Sequence, residues 1–107
     1  MQRLALVTGG TRGLGKAIAL ALDERGCSVV ATCRHDGEEA RQLRAQTGIA
    51  VMCWDVADFE ACRAGVARVR DQFGPVDILV NNAGITADAM FHKMSERDWD
   101  QVIEVHL

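Results

Sequence analysis

The residues best suited to chemistry stand near the start of the chain, in Thr8-Gly-Gly-Thr-Arg-Gly-Leu-Gly-Lys16. The apolar run Leu4–Thr8 leads straight into this glycine-rich turn, and the turn opens a helix. Such a turn presents backbone N–H groups and the positive end of a helix dipole to an anion. Gly9, Gly13 and Gly15 omit side chains where the backbone must turn tightly or approach a pyrophosphate, and Arg12 adds a cation. The chemistry indicated is the binding of a phosphate-bearing ligand.

Two templates compete for this loop. From Gly10 it nearly spells a mononucleotide P-loop, with Gly15-Lys16 in place, but the next position, which should carry a Mg²⁺-binding hydroxyl, is Ala17. The other template is a dinucleotide turn, and residues further along favour it. The run Ser28–Cys33 ends where a dinucleotide fold faces the adenosine ribose, and Arg34 follows it. An acidic residue there would accept hydrogen bonds from a free 2′-hydroxyl. A guanidinium instead suits a 2′-phosphate, with Arg12 as a second charge, which points to NADP(H) over NAD(H). Asp55 and Asn81-Asn-Ala-Gly84 close two later apolar runs, and ligands of open parallel sheets sit at such ends. Asp55 could accept from the adenine amino group, and Gly84 would permit close backbone approach to the nicotinamide ribose. Each feature also has an ordinary structural reading: a connecting turn, solvated arginines, Asp55 as a cap, and Asn81-Asn82 as turn formers.

Composition narrows the alternatives. The chain has 107 residues, 49% hydrophobic and 25% charged, which suits one globular domain at most. A net charge of −3 without a basic block gives no support for nucleic-acid binding. No apolar run is long enough to span a membrane and no signal peptide is visible, so the expected location is cytoplasmic. The four cysteines, at 27, 33, 53 and 62, form no C-x-x-C pair. Cys27, Cys33 and Cys53 lie in or beside apolar runs and are expected to be buried, reduced thiols. The histidines at 35, 92 and 106 lack metal-ligand spacing.

These residues need elements to position them. Strand signals over Leu4–Thr8, Ser28–Cys33, Ile49–Trp54 and Val76–Val80 alternate with helical ones. The first helix carries Leu14, Ile18, Ala21 and Leu22 at helical spacing and ends at Gly26; a polar helix over Glu38–Thr47 closes at Gly48. Asp58 can cap a third helix with an apolar stripe of Phe59, Cys62, Val66, Val69 and Phe73, stopped by Gly74-Pro75. A last helix is expected from Ser95, burying Trp99, Val102 and Ile103. The alternation predicts an α/β, Rossmann-type doubly wound parallel sheet, with four strands in the order 3-2-1-4 and flanking helices. The outer edge of the fourth strand, Ile78-Leu79-Val80, is expected to be bare and prone to recruit another chain.

Thr8-Gly-Gly-Thr-Arg-Gly-Leu-Gly15, Asp55-Val56 and Asn81-Asn-Ala-Gly84, in this order and spacing, resemble the short-chain dehydrogenase/reductase family over essentially the whole chain. The stretch Asn81–Met94, with Trp99-Asp100 and Val102-Ile103, is similar to the NADPH-dependent 3-ketoacyl reductases. Met90-Phe-His-Lys-Met94 and Trp54-Asp-Val-Ala-Asp58 look most like acetoacetyl-CoA reductases of polyhydroxybutyrate synthesis, with 3-oxoacyl-ACP reductases of fatty-acid synthesis close behind.

The resemblance implies hydride delivery from NADPH to the 3-keto carbon of an acyl thioester. It also implies a tyrosine as proton donor, a lysine that lowers the tyrosine pKa, and a serine that orients the carbonyl. In that family these three lie further along than residue 107, and this chain has no tyrosine. Residues 1–107 are therefore expected to be the NADP-binding N-terminal portion of one reductase domain, lacking the catalytic C-terminal portion and inactive alone. By position, Gly9, Thr11, Arg12, Gly13, Leu14 and Gly15 would hold the pyrophosphate and Arg34 the 2′-phosphate. Asp55 and Val56 would flank adenine, and Asn82, Ala83 and Gly84 would line the nicotinamide side. Asp88 stands at a substrate-contacting position, although Ala87 replaces the family's usual Arg beside it. His106 stands where many members have an Asn that holds a relay water. The implied partners are acetoacetyl-CoA or a 3-oxoacyl-ACP, and a homotetramer for the full-length relative. A non-catalytic nucleotide-binding half-domain is the alternative.

Overall fold

The computed structural model describes residues 2–82 and 103–106. Leu4-Ala-Leu-Val7 forms β1, and all four of its residues are buried. A strand buried on both faces belongs at the centre of a parallel sheet, and β1 pairs on one side with β2 (Ser28–Cys33) and on the other with β4 (Ile78–Asn81). β3 (Ala50–Cys53) lies outside β2, and β5 (Ile103–His106) lies outside β4. All pairings are parallel and the order is β3-β2-β1-β4-β5, so the expected 3-2-1-4 arrangement is present.

Alternation along the strands builds two cores. Leu4, Leu6, Val30 and Leu79 point to one face and pack with Cys62, Val66 and Val69 of α3 (Phe59–Phe73). Ala5, Val7, Val29, Ala31 and Val80 point to the other, with Ala19 of α1 (Gly13–Glu24) and with Ala40 and Leu43 of α2 (Glu38–Thr47). The helices thus cover both faces, and the loops at the strands' carboxyl ends converge.

Local expectations fare unevenly. Asp58 caps α3 by accepting a hydrogen bond from the Ala61 N–H at 3.1 Å, and left-handed Gly48 closes α2. The stripe of α1 is met in part: Ile18 and Leu22 pack against the core, whereas Leu14 and Ala21 are exposed and the fully buried positions are Gly15 and Ala19. These two small residues allow the helix axis close to the loop. Phe73, expected in the core, is exposed at the end of α3. Cys62 is buried, but Cys27, Cys33 and Cys53 are only half-buried because they sit at strand ends.

The largest departure is at Ile103. A helical core position was expected, but Ile103 begins β5, and its side chain is exposed together with that of Val105. Two β-branched residues at alternate positions suit a strand, and the unpaired edge of β4 supplies the backbone partners. The Ile103 N–H donates to the Asp77 carbonyl at 2.8 Å, and Ile78 to Asn81 pair in register with Ile103 to His106. The edge of β4 expected to be bare is therefore covered from within the chain. The helix start at Ser95, with Trp99 and Val102, lies outside the described residues.

Candidate cofactor site

The glycine loop is held at three points. The Thr8 hydroxyl at the end of β1 accepts the Asn82 N–H at 2.9 Å and lies 3.2 Å from Asn81 Oδ1. The Asn82 side-chain amide donates to the Gly9 carbonyl at 3.3 Å. The Gly10 N–H donates to the Thr32 carbonyl at 3.0 Å, which fixes the loop to β2. The Asn81-Asn82 pair is thus both structural and local to the site.

Two glycines are required by this geometry. A Cβ at Gly15 would run into the Gly9 carbonyl and the Asn82 amide, so any side chain there would push α1 off the loop. Gly13 adopts φ +58° at the first position of α1, in the left-handed region, and its outer side is open.

The helix these glycines position has an uncompensated start. Arg12 is its N-cap residue, but no side chain caps the helix and no acidic residue lies in its first turn. The first helical bond runs from the Lys16 N–H to the Arg12 carbonyl at 3.1 Å, so the amides of Gly13, Leu14 and Gly15 precede it. This end opens on a cavity of about 660 Å³ bounded by the carboxyl ends of β1, β2, β3 and β4. Gly9, Thr11, Arg12, Gly13, Leu14, Arg34, Asp55, Val56 and Asn82 all line it. Gly15 supports the loop from behind. Leu14 is 60% exposed, an apolar side chain available to a ligand.

Across the cavity, Arg34 and Asp55 approach to 3.7 Å, Arg34 largely exposed and Asp55 half-buried. A solvated contact of this length holds neither group firmly, so the Arg34 guanidinium is available to an anion. Asp55 Oδ1 also accepts the Ala57 N–H at 2.9 Å, so the turn-capping reading of this residue holds in the structure. The start of α2 is unsuited to a phosphate, because Glu38 and Glu39 occupy its first turn. A hydrogen bond from Arg41 keeps Glu38 below the usual carboxylate range, so that end stays negative.

The sequence reasoning assigned neither Thr32 nor Trp54 to the cavity, nor Cys33, His35 and the stretch from Gly37 to Ala40, which also line it. Thr32 is buried, and its hydroxyl has no hydrogen-bond partner among the described residues. Trp54 also lines the cavity while its ring packs on Gly65 of α3. Both adjoin residues that were singled out, Cys33 and Asp55, and their position at strand ends was the available signal. Ala83, Gly84 and Asp88 lie outside the described residues. His106 lies in β5, its backbone in register with Asn81.

The model of a family described as short chain dehydrogenase matches residues 3–107. The chain belongs to the short-chain dehydrogenase family. It is 52% identical, over its whole length, to an acetoacetyl-CoA reductase of Shinella zoogloeoides, and covers 44% of that protein. It is 40% identical to a 3-oxoacyl-(acyl-carrier-protein) reductase of Staphylococcus aureus, again over its whole length and 46% of the relative. A short-chain dehydrogenase of Streptomyces avermitilis superposes with a TM-score of 0.69 at 36% identity, over 78% of this chain and 31% of that one. The chain thus spans under half the length of these two curated relatives.

Proposed function

We propose that the chain forms the NADP(H) site of a short-chain reductase acting on a 3-ketoacyl thioester, with acetoacetyl-CoA as substrate. The observation that carries the cofactor reading is the uncapped start of α1, open to the same cavity as Arg34. The residues fit such a cofactor. Free amides and a positive dipole end suit a pyrophosphate, and left-handed Gly13 leaves room for it.

In this reading Gly9, Thr11, Arg12, Gly13 and Leu14 hold the pyrophosphate, with Gly15 setting the loop's distance from α1. Arg34 binds the 2′-phosphate, Asp55 and Val56 flank adenine, and Asn82, Ala83 and Gly84 line the nicotinamide side. When bound, the reduced nicotinamide supplies a hydride for the 3-keto carbon. The 107 residues include no tyrosine, so the part assigned to this chain is to bind and orient the cofactor. Asp88 as a substrate contact and His106 as a water-binding group enter only through the family resemblance.

The choice of acetoacetyl-CoA over a 3-oxoacyl-ACP rests on the higher identity, 52% against 40%, to the relative so named. A comparison of kcat/KM for the two thioesters tests it, and a preference for the ACP substrate would reverse the assignment. A second reading, a nucleotide-binding unit without turnover, is favoured by β5, which covers the outer edge of β4. It requires NADPH binding with no reduction of either thioester.

The cofactor assignment is tested by calorimetric titration with NADPH and NADH. Arg34→Asp is expected to lower the preference for NADPH about ten- to a hundredfold, the equivalent of one charge-assisted phosphate contact at roughly 1.5–3 kcal/mol. An unchanged preference would remove Arg34 from the 2′-phosphate.

A further inference from the structure

Cys33 and Cys53 are the last residues of β2 and β3 and are direct register partners in adjacent parallel strands. Neighbouring strands lie about 4.7–4.9 Å apart, within the Cα separations of roughly 4.4–6.8 Å that a disulfide spans. Their sulfurs stand 2.7 Å from each other, both residues are half-buried, and Cys33 borders the cavity. Both thiols are free. Cys62, by contrast, is buried beneath the sheet with its thiol toward the Val56 carbonyl.

We propose that Cys33 and Cys53 are a redox modification site, oxidised by a low-molecular-weight disulfide to a reversible cross-strand disulfide at the rim of the cavity. The proposal does not depend on which nucleotide the cavity takes. The steps balance. The Cys53 thiol loses its proton and attacks one sulfur of the oxidant; its S–S bond breaks, a mixed disulfide forms on Cys53, and one small thiol leaves. The Cys33 thiol then loses its proton and attacks the Cys53 sulfur. The protein disulfide forms and a second small thiol leaves. Two protein thiols are oxidised, and one small disulfide is reduced to two thiols.

The surroundings set this order. Burial, then the hydrogen bond and charge of Cys53, push the Cys33 thiol up to about 12, so it keeps its proton while Cys53 is free. Conversion of Cys53 to a mixed disulfide removes its hydrogen bond to Cys33. Burial still holds the Cys33 proton, and Asp36 opposes the thiolate more than Arg44 favours it, so closure of the bridge rests on the short approach of the two sulfurs.

The test is to incubate the reduced, folded protein with oxidised glutathione, alkylate the remaining thiols and map the products by mass spectrometry. Two of the four thiols are expected to disappear, with a linked Cys33–Cys53 peptide, an intact mass lower by two hydrogens, and full reversal by dithiothreitol. Cys33→Ser should stop at a glutathione adduct on Cys53, whereas Cys62→Ser should bridge like the parent. Four free thiols after incubation, a bridge through Cys27 or Cys62, an intermolecular bridge, or an adduct on Cys53 that persists in the parent would each overturn the proposal.

Discussion

The starts of α1 and α3 are opposite solutions to one problem. Every helix leaves its first amides without helical acceptors. At α3 the chain answers locally: the Asp58 carboxylate accepts the Ala61 N–H, Glu60 lies in the first turn, and the helix packs Gly65 against the Trp54 ring. At α1 it does not, since the cap residue is Arg12, the first turn contains no acid, and the loop before it is held open by Thr8, Asn82 and Gly15. A helix end satisfied by its own side chain contributes to stability. One left unsatisfied beside a cavity is available for a ligand's phosphate.

Making α1 resemble α3 should have the largest effect. Arg12→Asp would supply a cap worth about 1 kcal/mol to the helix. It would also remove a cation and set a carboxylate where the phosphate belongs. Affinity for NADPH should fall by about a hundredfold or more, while the unfolding midpoint holds or rises. Calorimetry and thermal melts check the two halves, and a variant that binds normally would break the contrast.

The reverse pattern is expected on the other face. Gly65→Ala drives a methyl group into the Trp54 ring and should cost about 1–3 kcal/mol of stability. Asp58→Ala should cost about 1 kcal/mol through the lost cap. In both variants the folded protein should bind NADPH as the parent does, although Trp54 borders the cavity. Denaturant unfolding and calorimetry together separate stability from binding.

The smallest effect concerns two thiols, one on each face. Burial raises Cys33 to about 12 and raises Cys62. The unfolded chain releases a thiol proton near the ordinary value of 9.0, and the folded chain holds the Cys33 proton to about 12. Stability from this source is therefore complete below pH 9 and is lost as pH rises toward 12. Cys33→Ser should flatten the alkaline fall in stability, as measured by denaturant midpoints from pH 8 upward.

Much of this contrast was legible in the sequence because its signals are local. The glycine spacing, Arg34 after an apolar run and Asp58 before a helical stripe each act within a few residues. The matching strand order follows from alternating elements and right-handed crossovers. What was missed depends on distance in space. The buried face of α1 combines the expected Ile18 and Leu22 with Gly15 and Ala19, small residues that hydrophobicity does not mark, and Leu14 faces the cavity instead. The meeting of Cys33 with Cys53 is a matter of register between separate strands. Ile103 was counted into a helical stripe that fits its spacing, yet its β-branched side chain and the open edge of β4 favour a strand.

The most direct test of the central claim is an amide NMR titration of the ¹⁵N-labelled protein with NADPH. The backbone amides of Gly13, Leu14 and Gly15 should shift saturably, while those of Phe59, Glu60 and Ala61 remain in place. Saturable shifts at the start of α3 with none at α1, or no shift at either end, would contradict the assignment of the phosphate site to α1.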